Sequence, residues 1–205
     1  MSEIAINLIF EDSLSGSILQ KLVANSRQDY LVGFRYPSGG YGWIKNRING
    51  FNNAAKGMPY LVLTDLDRCE CPPVLIRDWL TGAKHHNLLF RVAVRQVESW
   101  LLGCRILFAR FLGVPENMIP IAVDEIPNAK AFVIDLAKRS RKRQLRLDIV
   151  PQEGSTAKVG PDYNGRLIYF VENIWDPDIA REISPSLQKA IEILDTFEPI
   201  FENVF

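Results

Sequence analysis

The chain has 205 residues, 47% of them hydrophobic and 10% aromatic, enough to bury a substantial core without disulfides or a structural metal. Lys plus Arg and Asp plus Glu both number 24, so no global positive field draws the protein to nucleic acid, and any such binding must use a local patch. No apolar run approaches the roughly 20 residues needed to cross a bilayer, and membrane insertion is not expected.

Met1-Ser2-Glu3-Ile4 opens with no basic segment followed by an apolar one and a small-residue cleavage site, so a cytoplasmic location is expected. Ile4 to Phe10 reads as a buried strand interrupted by Asn7 and closed by Glu11-Asp12-Ser13. Ser13 can cap a helix whose Ile18, Leu19, Leu22 and Val23 form one apolar stripe. Tyr30 to Tyr36 predicts a second strand. Pro37 to Gly42 is then a glycine-rich loop ahead of a helix from about Trp43 to Ala55.

Tyr60 to Thr64 predicts the third strand, and Pro72-Pro73 starts a helix through Leu75, Ile76, Trp79 and Leu80. Asn87 to Val94 predicts the fourth strand. Val97, Trp100, Leu101, Phe108 and Phe111 recur at helical spacing up to Gly113, a C-terminal stop. Strands alternating with helices imply a mostly parallel sheet covered on both faces. The expected fold class is α/β over residues 1–113, with a more helical extension over 114–205 and the whole chain as one domain. Lys130 to Arg139 and Ser184 to Phe197 are the clearer helices there. Pro151 to Gly165 predicts a long surface loop able to act as a mobile flap.

The stretch richest in chemistry is Tyr60-Leu61-Val62-Leu63-Thr64-Asp65-Leu66-Asp67. Residues i and i+2 share a strand face, so Asp65 and Asp67 can point into one small volume, where a divalent cation relieves their repulsion. Ligands bind outside the carboxyl ends of strands in open α/β sheets. Glu11 after the first strand and Glu98 after the fourth are expected at that same edge. Each also has a plainer reading: Asp65 and Asp67 as turn formers, Glu98 as an acid at the positive end of its helix.

Ile-Phe-Glu11-Asp followed by Leu-Thr-Asp65-Leu-Asp67 resembles the Toprim domain of topoisomerases, primases and overcoming-lysogenization-defect nucleases. Arg91-Val-Ala-Val-Arg95-Gln-Val-Glu98-Ser-Trp-Leu-Leu is similar to the third motif of uncharacterised bacterial Toprim-like proteins, some associated with defence against phage. The resemblance covers about half the chain, the α/β portion. It implies a Toprim-like nuclease that hydrolyses phosphodiesters of DNA or RNA with Mg²⁺ or Mn²⁺. Glu11 would be general acid/base or metal ligand, Asp65 and Asp67 metal ligands, and Glu98 a further acidic partner. It also implies an ATPase as partner protein. Asp12 stands where Toprim proteins often have Gly, and Ser15 and Gly16 where the nuclease branch commonly has another acid. An acid would also be expected near Cys104. These departures carry a second expectation, a catalytically inactive nucleic-acid-binding or regulatory subunit.

Lys138-Arg139-Ser140-Arg141-Lys142-Arg143, with Arg146, is the densest basic patch; it can pair with phosphates or complement a helix end. Lys45 and Arg47, after the Gly39-Gly40-Tyr41-Gly42 turn, are further candidates for backbone contacts. That turn lacks the Lys and Ser/Thr of a P-loop. Cys69, Cys71 and Cys104 fit a reduced compartment, with thiols buried beside a turn favoured over zinc. The four tryptophans are expected to anchor the core or an interface.

Overall fold

The computed structural model describes residues 3–37 and 39–201; Ser38, in the expected glycine-rich loop, lies outside the described residues, as do Met1 and Ser2 of the opening segment. Four strands, β1 (Ile4–Phe10), β2 (Tyr30–Pro37), β3 (Tyr60–Asp65) and β4 (Leu88–Ala93), form one sheet of order β2-β1-β3-β4. Every pairing is parallel. The connections are helical: α1 (Ser13–Ala24), α2 (Tyr41–Ala54) and α3 (Pro72–Trp79). This is the α/β architecture expected from the alternation of strands and helices, and it is consistent with a Toprim-like fold.

Period-two alternation assigns the two faces of the sheet. Ile6, Leu8, Phe10, Leu61, Leu63 and Leu89 join one buried cluster; Ile9, Tyr60, Val62, Phe90 and Val92 join the other with Ile44 and Ile48 of α2 and Leu75 and Trp79 of α3. The first cluster runs on through the second half of the chain, including the fully buried Trp100, Phe108 and Phe170. Each such side chain contributes about 1.5–3 kcal/mol by leaving water.

Asn7 interrupts the apolar run of β1 for a local reason. The β1–β2 register shifts between Ile6 and Leu8. There the Asn7 amide oxygen accepts the Phe34 N–H at 2.7 Å. A Cβ on Gly33 would lie 2.6 Å from that oxygen, so glycine is required opposite the polar side chain.

The second half of the chain is helical: α4 (Val97–Leu102), α5 (Arg105–Leu112), α6 (Ala129–Lys138), α7 (Arg143–Ile149), α8 (Tyr163–Asn173), α9 (Pro177–Arg181) and α10 (Pro185–Thr196), with two short 3₁₀ turns between α5 and α6. Three sequence expectations are corrected. Asp12, not Ser13, caps α1, its carboxylate accepting the Ser15 N–H at 2.8 Å, an arrangement worth about 1 kcal/mol. The helix expected from Val97 to Gly113 is two helices. A Cβ on Gly103 would meet the Ala180 carbonyl at 2.8 Å, so α9 can lie directly against the break. The Trp100 carbonyl accepts the Trp175 indole N–H at 3.2 Å, while the Cys104 N–H turns to Leu101. The expected loop over 151–165 ends earlier, because α8 begins at Tyr163. Among the described residues no helix is long and apolar enough to cross a membrane.

Candidate functional site

The carboxyl ends of β1 and β3 meet through Glu11. Phe10 pairs with Leu63, so the next residue along β1 comes level with Thr64. The Glu11 carboxylate accepts hydrogen bonds from the Thr64 hydroxyl and from the Asp65 N–H, the latter at 3.1 Å. Asp65 shares strand parity with Leu61 and Leu63 and so turns toward the face that carries α4. There its carboxylate accepts the Val97 N–H at 2.9 Å.

Asp67 reaches the site by a different route from the strand alternation read in the sequence. β3 ends at Asp65, and Asp67 is the only non-glycine residue with positive φ among the described residues, at 48°. A left-handed aspartate is tolerated in a tight turn. This turn is tied down by the Asp67 N–H to the Arg95 carbonyl and by the Arg95 guanidinium to the carbonyls of Asp67 and Cys69. Asp67 itself is exposed.

Glu98 sits behind these groups, wholly buried in the first turn of α4. Its Oε1 accepts the Tyr163 hydroxyl at 3.0 Å and lies 3.5 Å from the Lys130 ammonium; Oε2 has no hydrogen-bond partner. Gln96 links the two layers: its amide oxygen accepts the Lys130 N–H at 3.0 Å, and its amide nitrogen lies 3.5 Å from the Asp67 carboxylate.

The electrostatics follow from this crowding. Burial, then the neighbouring charges of Glu98, Glu11 and Asp67, push the Asp65 carboxyl well above the usual range. Burial likewise raises Glu11 and Glu98, although Lys130 and the Tyr163 hydroxyl oppose the shift at Glu98. Burial opposes the charge on Lys130, but Glu98, Asp12 and Asp65 outweigh it and hold the ammonium above its ordinary value. Tyr163 is raised by burial and by Glu98 beside it.

Glu11 and Asp65 are joined directly, and Asp65 lies within charge interaction of Glu98 and Asp67, of which Glu98 is buried and Asp67 exposed. Thr64, Gln96, Lys130 and Tyr163 complete the constellation. The oxygen donors are those a hard divalent ion such as Mg²⁺ takes, and mutual repulsion among them is relieved by a cation. Among the described residues no group of three or more His, Cys, Asp or Glu side chains could, as placed, hold a metal ion. The donor chemistry at the mouth is that of a hard cation although the carboxylates are not arranged around one, and Glu98 already has the Lys130 ammonium beside it.

Ser15, Gly16 and Cys104, singled out in the sequence, each have a local structural role. The Ser15 hydroxyl donates to the Asp12 carboxylate at 2.9 Å. A Cβ on Gly16 would lie 2.7 Å from the Phe10 ring, so that position has no room for an acidic side chain. Cys104 is buried and its thiol donates to the Asp176 carbonyl at 2.9 Å. Burial pushes that thiol up to about 11.

The basic candidates divide. Lys142 donates to the Arg110 and Phe111 carbonyls at 2.9 Å, closing the end of α5; Arg146 donates to the Ser140 carbonyl, and Lys138 pairs with Asp135. Arg139, Arg141 and Arg143 are exposed. This patch lies at the far end of α6 from Lys130, about 12 Å along the axis at 1.5 Å per residue. Lys45, by contrast, lines a cavity of 580 Å³ together with Asp67, Arg68, Tyr41 and Trp79, while the Arg47 guanidinium lies 4.6 Å from the Trp43 ring centre. Cys69 and Cys71 are half-buried free thiols rather than fully buried ones. Trp79, Trp100 and Trp175 are core residues.

No protein-family model, curated protein or solved structure matches the chain. The class defined by the coordinates is an α/β protein whose parallel strands deliver acidic side chains to one edge.

Proposed function

We propose that this protein hydrolyses phosphodiester bonds of nucleic acid at the mouth formed by Glu11, Asp65 and Asp67. The observation that carries the reading is the hydrogen bond from the Asp65 N–H to Glu11, 3.1 Å long, which joins acids 54 positions apart in sequence. Glu11, Asp65 and Asp67 would hold Mg²⁺ or Mn²⁺, which when bound supplies positive charge against the phosphate and sharpens the acidity of water. Glu11, raised by burial, is suited to take a proton from the attacking water. The water oxygen bonds to phosphorus, the bond from phosphorus to the departing sugar oxygen breaks with its electron pair, and that oxygen takes a proton from solvent water. Thr64 and the Asp65 amide fix the Glu11 carboxylate while this happens. Lys45 and Arg68, which line a cavity together with Asp67, would meet flanking phosphates.

The test is incubation of the purified protein with single- and double-stranded DNA and RNA, with Mg²⁺, Mn²⁺ or EDTA, beside Asp65→Ala and Asp67→Ala. Cleavage that needs a divalent ion and vanishes in both variants supports the reading. Cleavage that survives both substitutions overturns it. A second reading, a binding or regulatory subunit without catalysis, is favoured by one observation: the space at Gly16 is filled by Phe10, so the site has no room there for the additional acid of the nuclease branch. Nucleic-acid binding without cleavage under any of these conditions would select it.

A further inference from the structure

β4 is an edge of the sheet and pairs with β3 alone. The Asn87 carbonyl accepts the Tyr60 N–H and the Ala93 carbonyl accepts the Leu66 N–H. Odd-numbered residues of β4 therefore turn their backbone groups to β3, and even-numbered ones turn theirs outward. Some of these outward groups are satisfied locally. The Lys84 ammonium donates to the Leu88 carbonyl, the Arg91 guanidinium to the Phe90 carbonyl, and the Val94 N–H to the Ser186 hydroxyl at 3.4 Å. Among the described residues, the N–H groups of Phe90 and Val92 and the Val92 carbonyl have no hydrogen-bond partner. A cavity of 730 Å³ lies against them, lined by Phe90 and Val92 of the edge, Pro73 and Ile76 of α3, and Ile121 and Ile183.

We propose that the β4 edge is the docking site of an extended peptide segment from a partner protein, which adds to the sheet as a further strand. It is a binding function separate from the chemistry proposed at the acidic mouth. The segment's carbonyls accept the Phe90 and Val92 N–H groups, one of its N–H groups donates to the Val92 carbonyl, and an apolar side chain fills the cavity. Charge selects a basic segment. Asp124, Glu125 and Glu182 border the cavity against Arg91 and Lys189, and the Arg91 guanidinium is already engaged by the carbonyls of Phe90 and Lys189. Glu125 and Glu182 are exposed, and among the described residues neither is in an ion pair. A lysine or arginine on the segment completes them. Because the edge is set in a cavity between α3 and the start of α10 rather than at a flat margin, it admits a single extended chain and keeps out the sheet of a second copy.

The probe is a blocked, dye-labelled hexapeptide of alternating valine and lysine, titrated into the whole protein by fluorescence anisotropy. Its fully N-methylated form and a valine–glutamate counterpart are run beside it. The basic peptide is expected to bind, N-methylation to abolish binding, and Glu125→Lys combined with Glu182→Lys to weaken it about tenfold. Amide hydrogen exchange locates the contact: the peptide should slow Phe90 and Val92 and leave Leu89 and Arg91, already bonded to β3, unchanged. Val92→Pro removes an outward N–H at no cost to the β3 ladder, which an edge strand tolerates, and should weaken binding. If that variant does not fold by circular dichroism, the N-methylated peptide removes the same hydrogen bonds from the other side. Binding that is indifferent to N-methylation, or that leaves the Phe90 and Val92 amides unprotected, overturns strand addition. Equal or tighter binding of the glutamate peptide overturns the basic partner, and no binding of the basic peptide overturns the proposal. A dimer in sedimentation whose Phe90 and Val92 amides are protected without peptide assigns the edge to a second copy instead.

Discussion

Asp65 and Val97 are joined by a hydrogen bond of 2.9 Å in which the carboxylate at the end of β3 accepts the first N–H of α4. The side chain is therefore a helix cap as well as an acid. Gln96, the residue that precedes the helix, makes no side-chain cap of its own. The two roles separate by substitution. Asp65→Asn keeps an oxygen for the Val97 N–H and removes the charge; Asp65→Ala removes both. Both variants are expected to abolish divalent-dependent cleavage, but only Asp65→Ala should lose stability, by about 0.5–2 kcal/mol. Urea denaturation of the three proteins checks it. Equal stability of the Ala and Asn variants would show that the hydrogen bond contributes nothing.

The same pair yields a pH dependence with a definite sign. Asp65 is raised well above its ordinary value, first by burial and then by Glu98, Glu11 and Asp67. Between the unfolded value near 4 and the raised folded value, the native protein binds more protons at this group than the unfolded chain. Its contribution to stability is thus complete below the unfolded value and is lost as pH rises through the folded one. The uncharged amide of the Asp65→Asn variant carries no such penalty. The melting temperature of Asp65→Asn should equal that of wild type near pH 4 and exceed it increasingly toward pH 8 in EDTA, each kcal/mol appearing as roughly 2–4 °C. Saturating Mn²⁺ should raise wild type at pH 8 and leave it unmoved near pH 4. A gap between the two proteins that is constant with pH would contradict the charge crowding.

The legible part of this site was the part that local pattern controls. An apolar run ending in aspartates fixed β3, and parallel topology brought Glu11 to its edge because neighbouring strands end together. Strand parity accounts for the face Asp65 takes, the one on which Leu61 and Leu63 enter the larger core cluster. Asp67 showed where that pattern ends, since its position depends on a left-handed turn pinned by Arg95. Lys130 and Tyr163 could not be read in the same way. They lie 32 and 65 residues from Glu98, and nothing local in a helix start or a loop end tells which distant carboxylate it will meet. The break between α4 and α5 was invisible for a similar reason, because the group that replaces the helical hydrogen bond at Trp100 is the indole of Trp175, 75 residues further on.

Gly16 decides whether α1 can carry any side chain where it crosses β1. Its Cβ would lie 2.7 Å from Cε2 of the Phe10 ring, and both residues are buried. α1 thus sits on β1 at a distance only glycine allows. Gly16→Ala is expected to cost about 1–3 kcal/mol, as overpacking does, and Gly16→Glu more, because it adds an enclosed charge. Phe10→Leu should relieve much of the alanine penalty by clearing the ring, so the double variant should be more stable than the sum of the two singles. Additive effects in the cycle would mean that the ring and the glycine do not constrain each other.

The basic segment between α6 and α7 separates into cations that hold the fold and cations that face solvent. Lys142 bonds two carbonyls at the end of α5, and its stem packs within 3.1 Å of where a Gly113 Cβ would be. Gly113 itself is left-handed, at φ 74°, and ends the helix. Lys142→Ala should therefore cost about 0.5–1.5 kcal/mol in denaturation. Arg139, Arg141 and Arg143 are exposed, and their replacement by alanine should leave stability within about 0.5 kcal/mol. If they pair with phosphates, the triple variant loses nucleic-acid affinity regardless of sequence, and the slope of log affinity against log salt becomes shallower by about 0.9 for each duplex-DNA phosphate that is no longer neutralised. Fluorescence anisotropy at several salt concentrations reads both quantities. An unchanged slope would assign the exposed arginines to solvent alone and leave the cavity beside Asp67, with Lys45 and Arg68, as the route by which phosphates reach the carboxylates.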